Sequence, residues 1–225
     1  MPLFLLLETS SDICSVALSE NEKILALRED KNKEHVSLIT VFIDEVLKSQ
    51  SKNISDLSAI AVSAGPGSYT GLRVGISAAR GLALAGNLPI LAISSLLALA
   101  SGADFLSDKT LLCPVINSRK GEVFFALFDS QLRELIPASP APDDEAFFER
   151  LPLQHNISIF AGASEKLLKK NHPNNFCYIP NILPSATLLA GLAYKKFMRG
   201  DYNKSGGIEP IYVKEFYSGS AIKTI

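Results

Sequence analysis

The stretch SAGPGSYTGLRVGISAARGLALAGNLPI, Ser63 to Ile90, sets a Gly-Pro-Gly loop against a helical run that carries Gly71 and Gly75 in its body. An interior glycine costs about 1 kcal/mol relative to alanine, because the unfolded chain has more freedom to lose. A helix that accepts this cost twice, one turn apart, needs the space. Reading every fourth residue gives Gly67, Gly71, Gly75, Ala79 and Ala83, which a helix stacks into one smooth stripe. Such a stripe admits another backbone at close range, from the chain's own sheet or from a second molecule.

Around this helix the first half reads as strands LFLLLE, ICSVALS and KILALRE, a helix from His35 to Ser49, strand AIAVSA, a helix from Tyr69 to Ala85, strand PILAI and a helix from Ser94. The second half restarts with TLLCPVIN, EVFFALFD and LRELIPA. A short helix from Asp143 to Arg150, strand ISIFAG, a helix from Ser164 to Lys170, strand FCYIP and a helix from Ser185 to Arg199 follow. Laying ETSSDICSVALSE over NSRKGEVFFALFD pairs Glu8 with Asn117 and Ala17-Leu18 with Ala126-Leu127 without a gap. The repeated order implies an α/β protein of two similar lobes, residues 1–104 and 105–225, with the cleft between them as the natural ligand site. The last residues lack periodicity and are expected to be mobile.

The 47% apolar content is enough to bury a core, and 22 basic residues against 23 acidic ones give no general field for nucleic acid or an anionic membrane. Any contact with RNA is expected to need a partner. Cys14, Cys113 and Cys177 lie too far apart for a close-spaced metal motif and read as reduced thiols in strands. The uncharged run Leu82 to Ala103 matches a bilayer span in length, but Asn87, Pro89 and Ser94-Ser95 divide it into helix end, strand and new helix. PLFLLLE has no basic leader and meets Glu8 early, so a cytoplasmic protein is expected.

In order along the chain, LLLETSSDICSVAL, EHVSLI, AVSAGPGSYTGLRVGISAARGLALA, SSLLALA, NSRKGEVFFALF and EPIYVKEF resemble the TsaB family over nearly the whole length. The resemblance implies the actin-like, sugar-kinase-like and Hsp70-like fold of two lobes. It also implies an accessory subunit of the bacterial machinery that places threonylcarbamoyladenosine beside the anticodon of tRNA. The implied partners are a catalytic paralogue, TsaD, and an ATPase, TsaE, with tRNA reached only through the complex.

The catalytic paralogue carries a metal-binding His-x-x-x-His on the helix that here reads SSLLALASGADF, which has no histidine and no carboxylate before Asp104. His155 and His172 sit in loop sequence beside Asn156 and Pro173, and His35 begins a helix. No Gly-x-Ser-x-Gly elbow surrounds any serine, so an older peptidase label for the wider family finds no support. Glu8, Thr9 and Ser10 occupy the position of the superfamily's first phosphate loop, with Glu in place of the usual Asp and without the loop glycines. They read as a vestigial phosphate site or as a polar hairpin turn. The Gly-Pro-Gly loop has no following Lys, and Pro66 removes one N–H donor, so packing explains it better than phosphate binding. No cofactor is expected on this chain alone. ATP or ADP and a metal ion could enter with the assembled complex.

From Val36 to Leu47, eight of twelve residues are apolar, a wider stripe than one core-facing side needs. Arg73, Ser77 and Arg80 form a polar face beside the glycine stripe. The resemblance implies that this helical surface joins TsaD. The expected interface is His35, Leu38, Phe42, Gly67, Gly71, Arg73, Gly75, Ser77, Ala79 and Arg80. Left empty, the same patch predicts a weak homodimer. Arg119 and Glu122, at the tip of the second-lobe turn, are the interlobe candidates. The reading is therefore a non-catalytic scaffold that activates the transferase. The alternative is an independent nucleotide-dependent phospho- or carbamoyltransferase with an interlobe site.

Overall fold

The computed structural model describes residues 1–31, 35–103, 110–118, 121–152, 154–160, 174–179, 181–204, 207–211 and 213. The first lobe runs β1 (Leu3–Glu8), β2 (Cys14–Glu20), β3 (Lys23–Asp30), α1 (His35–Ser49), β4 (Ala59–Gly65), α2 (Tyr69–Gly86), β5 (Pro89–Ser94) and α3 (Ser95–Ser101). The second runs β6 (Thr110–Asn117), β7 (Glu122–Phe128), β8 (Glu134–Pro142), a 3-10 turn (Glu145–Arg150), β9 (Asn156–Phe160) and β10 (Phe176–Ile179). Another 3-10 turn (Ala186–Leu189) leads into α4 (Ala190–Met198), and β11 (Asn203–Lys204) closes the series. The expected helix Ser164–Lys170 lies outside the described residues.

The two sheets repeat one plan. In the first, β1 pairs antiparallel with β2 and parallel with β4, and the order is β11-β5-β4-β1-β2-β3. In the second, β6 pairs antiparallel with β7 and parallel with β9, and the order is β10-β9-β6-β7-β8. Each strand of the second sheet thus occupies the place of its counterpart five positions earlier in chain order. The duplicated α/β architecture expected from the order of elements is the one observed.

β1 shows why the central strands are apolar without alternation. Leu3, Leu5 and Leu7 face the core under α1 and α2, while Phe4 and Leu6 face the opposite core. A strand covered on both faces cannot afford a polar side chain on either. α2 starts where Ser68 Oγ accepts the Gly71 N–H at 3.2 Å, and ends at Asn87 in the left-handed conformation, φ 50°. α3 sits between the lobes. Its Leu96, Leu99 and Ala100 pack with Leu112, Ile116, Phe128 and Phe160 of the second sheet. The uncharged run Leu82–Ala103 is consumed in this way, and among the described residues no helix is long and apolar enough to cross a membrane.

Position in the chain and position in space part company after residue 181. Ala186, Leu189, Ala190 and Ala193 pack under the first sheet with Phe4, Leu6 and Leu91, and Phe197 meets Phe4 edge-on at 5.3 Å. β11 then pairs with β5. This stretch follows the expected 104/105 boundary yet belongs to the first lobe by contact, because the first sheet otherwise has a bare apolar back. Cys14 and Cys113 are buried in strands, as expected, whereas Cys177 on β10 is exposed.

Candidate functional site

The carboxyl ends of β1, β4 and β5 lie side by side, the place where open α/β sheets present ligand-binding loops. Here the loops are turned inward. Glu8, Thr9 and Ser10 are all buried. Glu8 Oε1 accepts the Ser10 N–H at 2.6 Å and the Ser63 hydroxyl at 3.0 Å. Burial pushes the Glu8 carboxyl above its ordinary value, and the bonds from Ser10, Ser63 and Thr9 oppose that rise. The Ser10 carbonyl in turn accepts the Ser68 N–H at 2.7 Å, tying this loop to the start of α2. The Thr9 and Ser10 backbone N–H groups, which a phosphate loop would offer to a ligand, are bonded within the lobe, while the Thr9 and Ser10 hydroxyls are buried without a hydrogen-bond partner.

The glycine stripe explains the closeness. A Cβ on Gly67 would overlap the Ser10 carbonyl oxygen, one on Gly71 the Thr9 carbonyl oxygen, and one on Gly75 the Thr9 Oγ1. Ala79 and Ala83 continue the stripe and are fully buried in the same core. Gly67, Gly71, Gly75 and Ala79 are therefore not a docking face, contrary to the expectation from sequence. The space they leave is filled by the β1–β2 loop and by the core of their own lobe. No room remains on that side for a second molecule.

The opposite side of α2 is open. Tyr69, Arg73, Ser77, Arg80 and Leu84 follow one another at spacings of four and three and are all exposed, Leu84 at 77%. The Arg73 guanidinium stacks 4.0 Å from the Tyr69 ring centroid, which holds the charge flat against the helix. Gly81 lies on this side too, with nothing within 4 Å of where a Cβ would stand. On the neighbouring α1, Leu38 and Phe42 are half-buried and Val41 is exposed. Arg28 Nε meets Glu45 of α1 at 2.8 Å, and Lys48 pairs with Asp44 at 2.7 Å. Of the expected interface residues, Leu38, Phe42, Arg73, Ser77 and Arg80 lie on this open pair of helices. The side chain of His35 is outside the description.

Sequence reasoning missed Tyr69, Val41 and Leu84. The spacing that links Arg73, Ser77 and Arg80 extends to Tyr69 and Leu84 and could have found them. It also missed Ser63, Ser68 and Ser95, hydroxyls at element ends that fix the loop. Ser95 Oγ accepts the Gly65 N–H at 3.2 Å.

In the second lobe Glu122 opens β7, and its carbonyl accepts the Ser118 N–H at 3.1 Å. Asp143 is buried beside it, its N–H donated to the Gly121 carbonyl at 2.9 Å. Arg119 lies outside the described residues. Among the described residues no three His, Cys, Asp or Glu side chains converge to hold a metal ion.

Comparison with known proteins adds to this geometry. A family model described as TsaD, tRNA N6-adenosine threonylcarbamoyltransferase, matches residues 27–189. The tRNA threonylcarbamoyladenosine biosynthesis protein TsaB of Haemophilus influenzae is 29% identical over 221 residues, covering 93% of this chain and 92% of that protein. The protein of the same name from Escherichia coli is 36% identical over 122 residues, 54% of this chain and 53% of its own length. A crystal structure from Pseudomonas aeruginosa, described as an uncharacterized protein with similarity to peptidase YEAZ, superposes with a TM-score of 0.82 at 24% identity. It covers 95% of this chain and 100% of that one.

Proposed function

The chain belongs to the TsaB family, and from that premise we propose that it is the non-catalytic accessory subunit of a threonylcarbamoyladenosine-forming complex acting on tRNA. It docks a TsaD-like catalytic subunit through the exposed side of α1 and α2, and so supports transfer of threonylcarbamoyl to the adenosine beside the anticodon. The complex works in the cytoplasm, with a TsaE-like ATPase, and tRNA is met through the assembly.

The observation that carries this reading is the asymmetry of α2. One side is locked onto Thr9 and Ser10. The other leaves a large aliphatic side chain, an aromatic ring and two arginines in solvent. Aromatic, arginine and leucine side chains that alternate along one helix suit a protein partner better than they suit water. In the absence of that partner the same side supports a weak homodimer. The inward-turned Glu8 loop weighs against the alternative of an independent nucleotide-dependent transferase, since its Thr9 and Ser10 backbone N–H groups are already bonded and its residues are buried.

The test is co-purification with the catalytic paralogue from the same organism, followed by modification of tRNA with and without this chain. Stimulation of the paralogue by the wild-type chain, with no transfer by the chain alone, is the expected result. Transfer by the chain alone, or a paralogue indifferent to its presence, overturns the reading.

A further inference from the structure

After β11 the chain crosses to the other face of the first sheet. Ile208 is 3% exposed and belongs to the core that also holds Ile76, Ala79, Ala83 and Leu88. Three residues on, the Ile211 N–H donates to the Ala64 carbonyl at 2.7 Å, at the carboxyl end of β4. The Ile211 carbonyl oxygen stands 2.9 Å from where a Cβ on Gly65 would be, and Gly65 holds φ at +113°. Gly207–Ile211 is thus laid across the base of the 65–68 loop, the loop that carries the Ser68 cap of α2 and meets Ser10.

We infer that Gly207–Ile211 is a strap whose seating controls the order of the 65–68 loop and the first turn of α2, and hence the presentation of Tyr69 and Arg73. The argument is one of shared contacts. The loop and the strand end that leads into it are held at three points, Ser95 under Gly65, Ser10 under Ser68, and Ile211 over Ala64. Two of these are internal to the tightly packed part of the lobe. The third comes from a short segment with one buried anchor, Ile208, and one exposed end, since Ile211 is 45% exposed. A segment with so little buried surface opens more readily than the sheet it rests on. Its opening releases the Ala64 carbonyl and the space over Gly65 together. Coupling of this kind is reciprocal, so anything that binds the first turn of α2 must favour the seated strap by the same factor. That second half rests on the partner reading given above.

The test is residue-resolved amide exchange on the full chain, on Ile211→Pro and on Ile208→Ala. Ile211→Pro removes the N–H that meets Ala64 and sets a ring carbon against that carbonyl, so it unseats the strap at an exposed position. It is expected to speed exchange of the Ser68, Gly71 and Leu72 amides at least tenfold, while β6, β7 and β9 amides of the second sheet keep their rates. Ile208→Ala should act in the same direction. Unchanged rates at residues 68–72 in both variants overturn the strap, as does an increase shared equally by the second sheet. In the reciprocal arm, the purified catalytic paralogue is added to the wild-type chain and the complex is verified by sedimentation. Slower exchange at the Ile211 amide is expected, and an unchanged rate within a formed complex overturns the coupling. If no complex forms, the partner reading and the coupling fail together, while the comparison of variants still decides the strap.

Discussion

Thr9 is pressed onto Gly75 so closely that a Cβ on the glycine would overlap the Thr9 Oγ1, while one turn earlier a Cβ on Gly71 would overlap the Thr9 carbonyl oxygen. The first conflict is with a side chain and the second with backbone. The two glycines should therefore respond differently to a change at residue 9. Gly75→Ala and Gly71→Ala should each destabilise the chain by about 1–3 kcal/mol through overpacking. Thr9→Ala should restore most of the loss in Gly75→Ala and none in Gly71→Ala. Because Thr9 Oγ1 is buried without a hydrogen-bond partner, Thr9→Ala alone should cost little. Urea denaturation of the three single and two double variants measures the coupling.

The buried Glu8 carboxyl makes a prediction with a definite sign. Its folded value is raised above the ordinary 4.5, so the folded state holds the proton more tightly than the unfolded chain does. The resulting stability is fully present below the unfolded value and is lost as pH rises through the folded one. Glu8→Gln keeps an oxygen acceptor for Ser10 and Ser63 and removes the charge. The difference in unfolding free energy, wild type minus Glu8→Gln, should therefore fall as pH is raised from 4.5, and then level off. Denaturation at a series of pH values checks it, and a difference that climbs with pH contradicts the assignment.

On the open side of α2, Arg73 and Arg80 are exposed, and Arg73→Glu and Arg80→Glu reverse their charge. Each should leave the melting temperature within a degree or two and weaken binding of the catalytic paralogue at least tenfold, about 1.4 kcal/mol. Calorimetric titration provides the number. Normal affinity in both variants would remove this face from the interface.

Gly81→Ala should stabilise the isolated chain by about 1 kcal/mol, because the site is helical, exposed and has nothing within 4 Å of the new methyl group. Thermal unfolding measures this directly. The contrast with Gly71 and Gly75, on the far side of the same helix, separates glycine retained for packing from glycine that the fold does not require.

Thiol chemistry should divide the cysteines by burial. Cys177 is exposed and should react with a disulfide reagent in the native protein. Burial, with the negative charges of Asp30 and Glu8 nearby, pushes the Cys14 thiol up to about 11, and burial alone raises Cys113 further. Both should stay unreactive at neutral pH until the chain is denatured. Two fast thiols in the native state would contradict the packing of β2 or β6.

Much of this architecture can be read in the sequence because its strands and helices carry their own periods. The restart at Thr110 is visible in the letters, and the strand order repeats accordingly. The stripe from Gly67 to Ala83 was also visible, but a run of small residues states only that something comes close, never what. Its occupant, Thr9 and Ser10, is 57 or more residues away in the chain. The docking side was legible only in part, since Tyr69 and Leu84 share a spacing with Arg73 and Arg80 while a search led by glycine points to the other face. β11 and the return of α4 gave no local signal. Two residues cannot carry a period, and the alanines of α4 specify a close neighbour without naming the sheet.

The return of residues 186–204 to the first sheet has a consequence for biosynthesis. As the polypeptide leaves the ribosome, Phe4, Leu6 and Leu91 lack most of their cover on one side until Ala186, Leu189 and Phe197 have been made. The lobe encoded first is thus the lobe completed last, and for most of translation its underside is an adhesive surface that a nascent-chain chaperone would recognise.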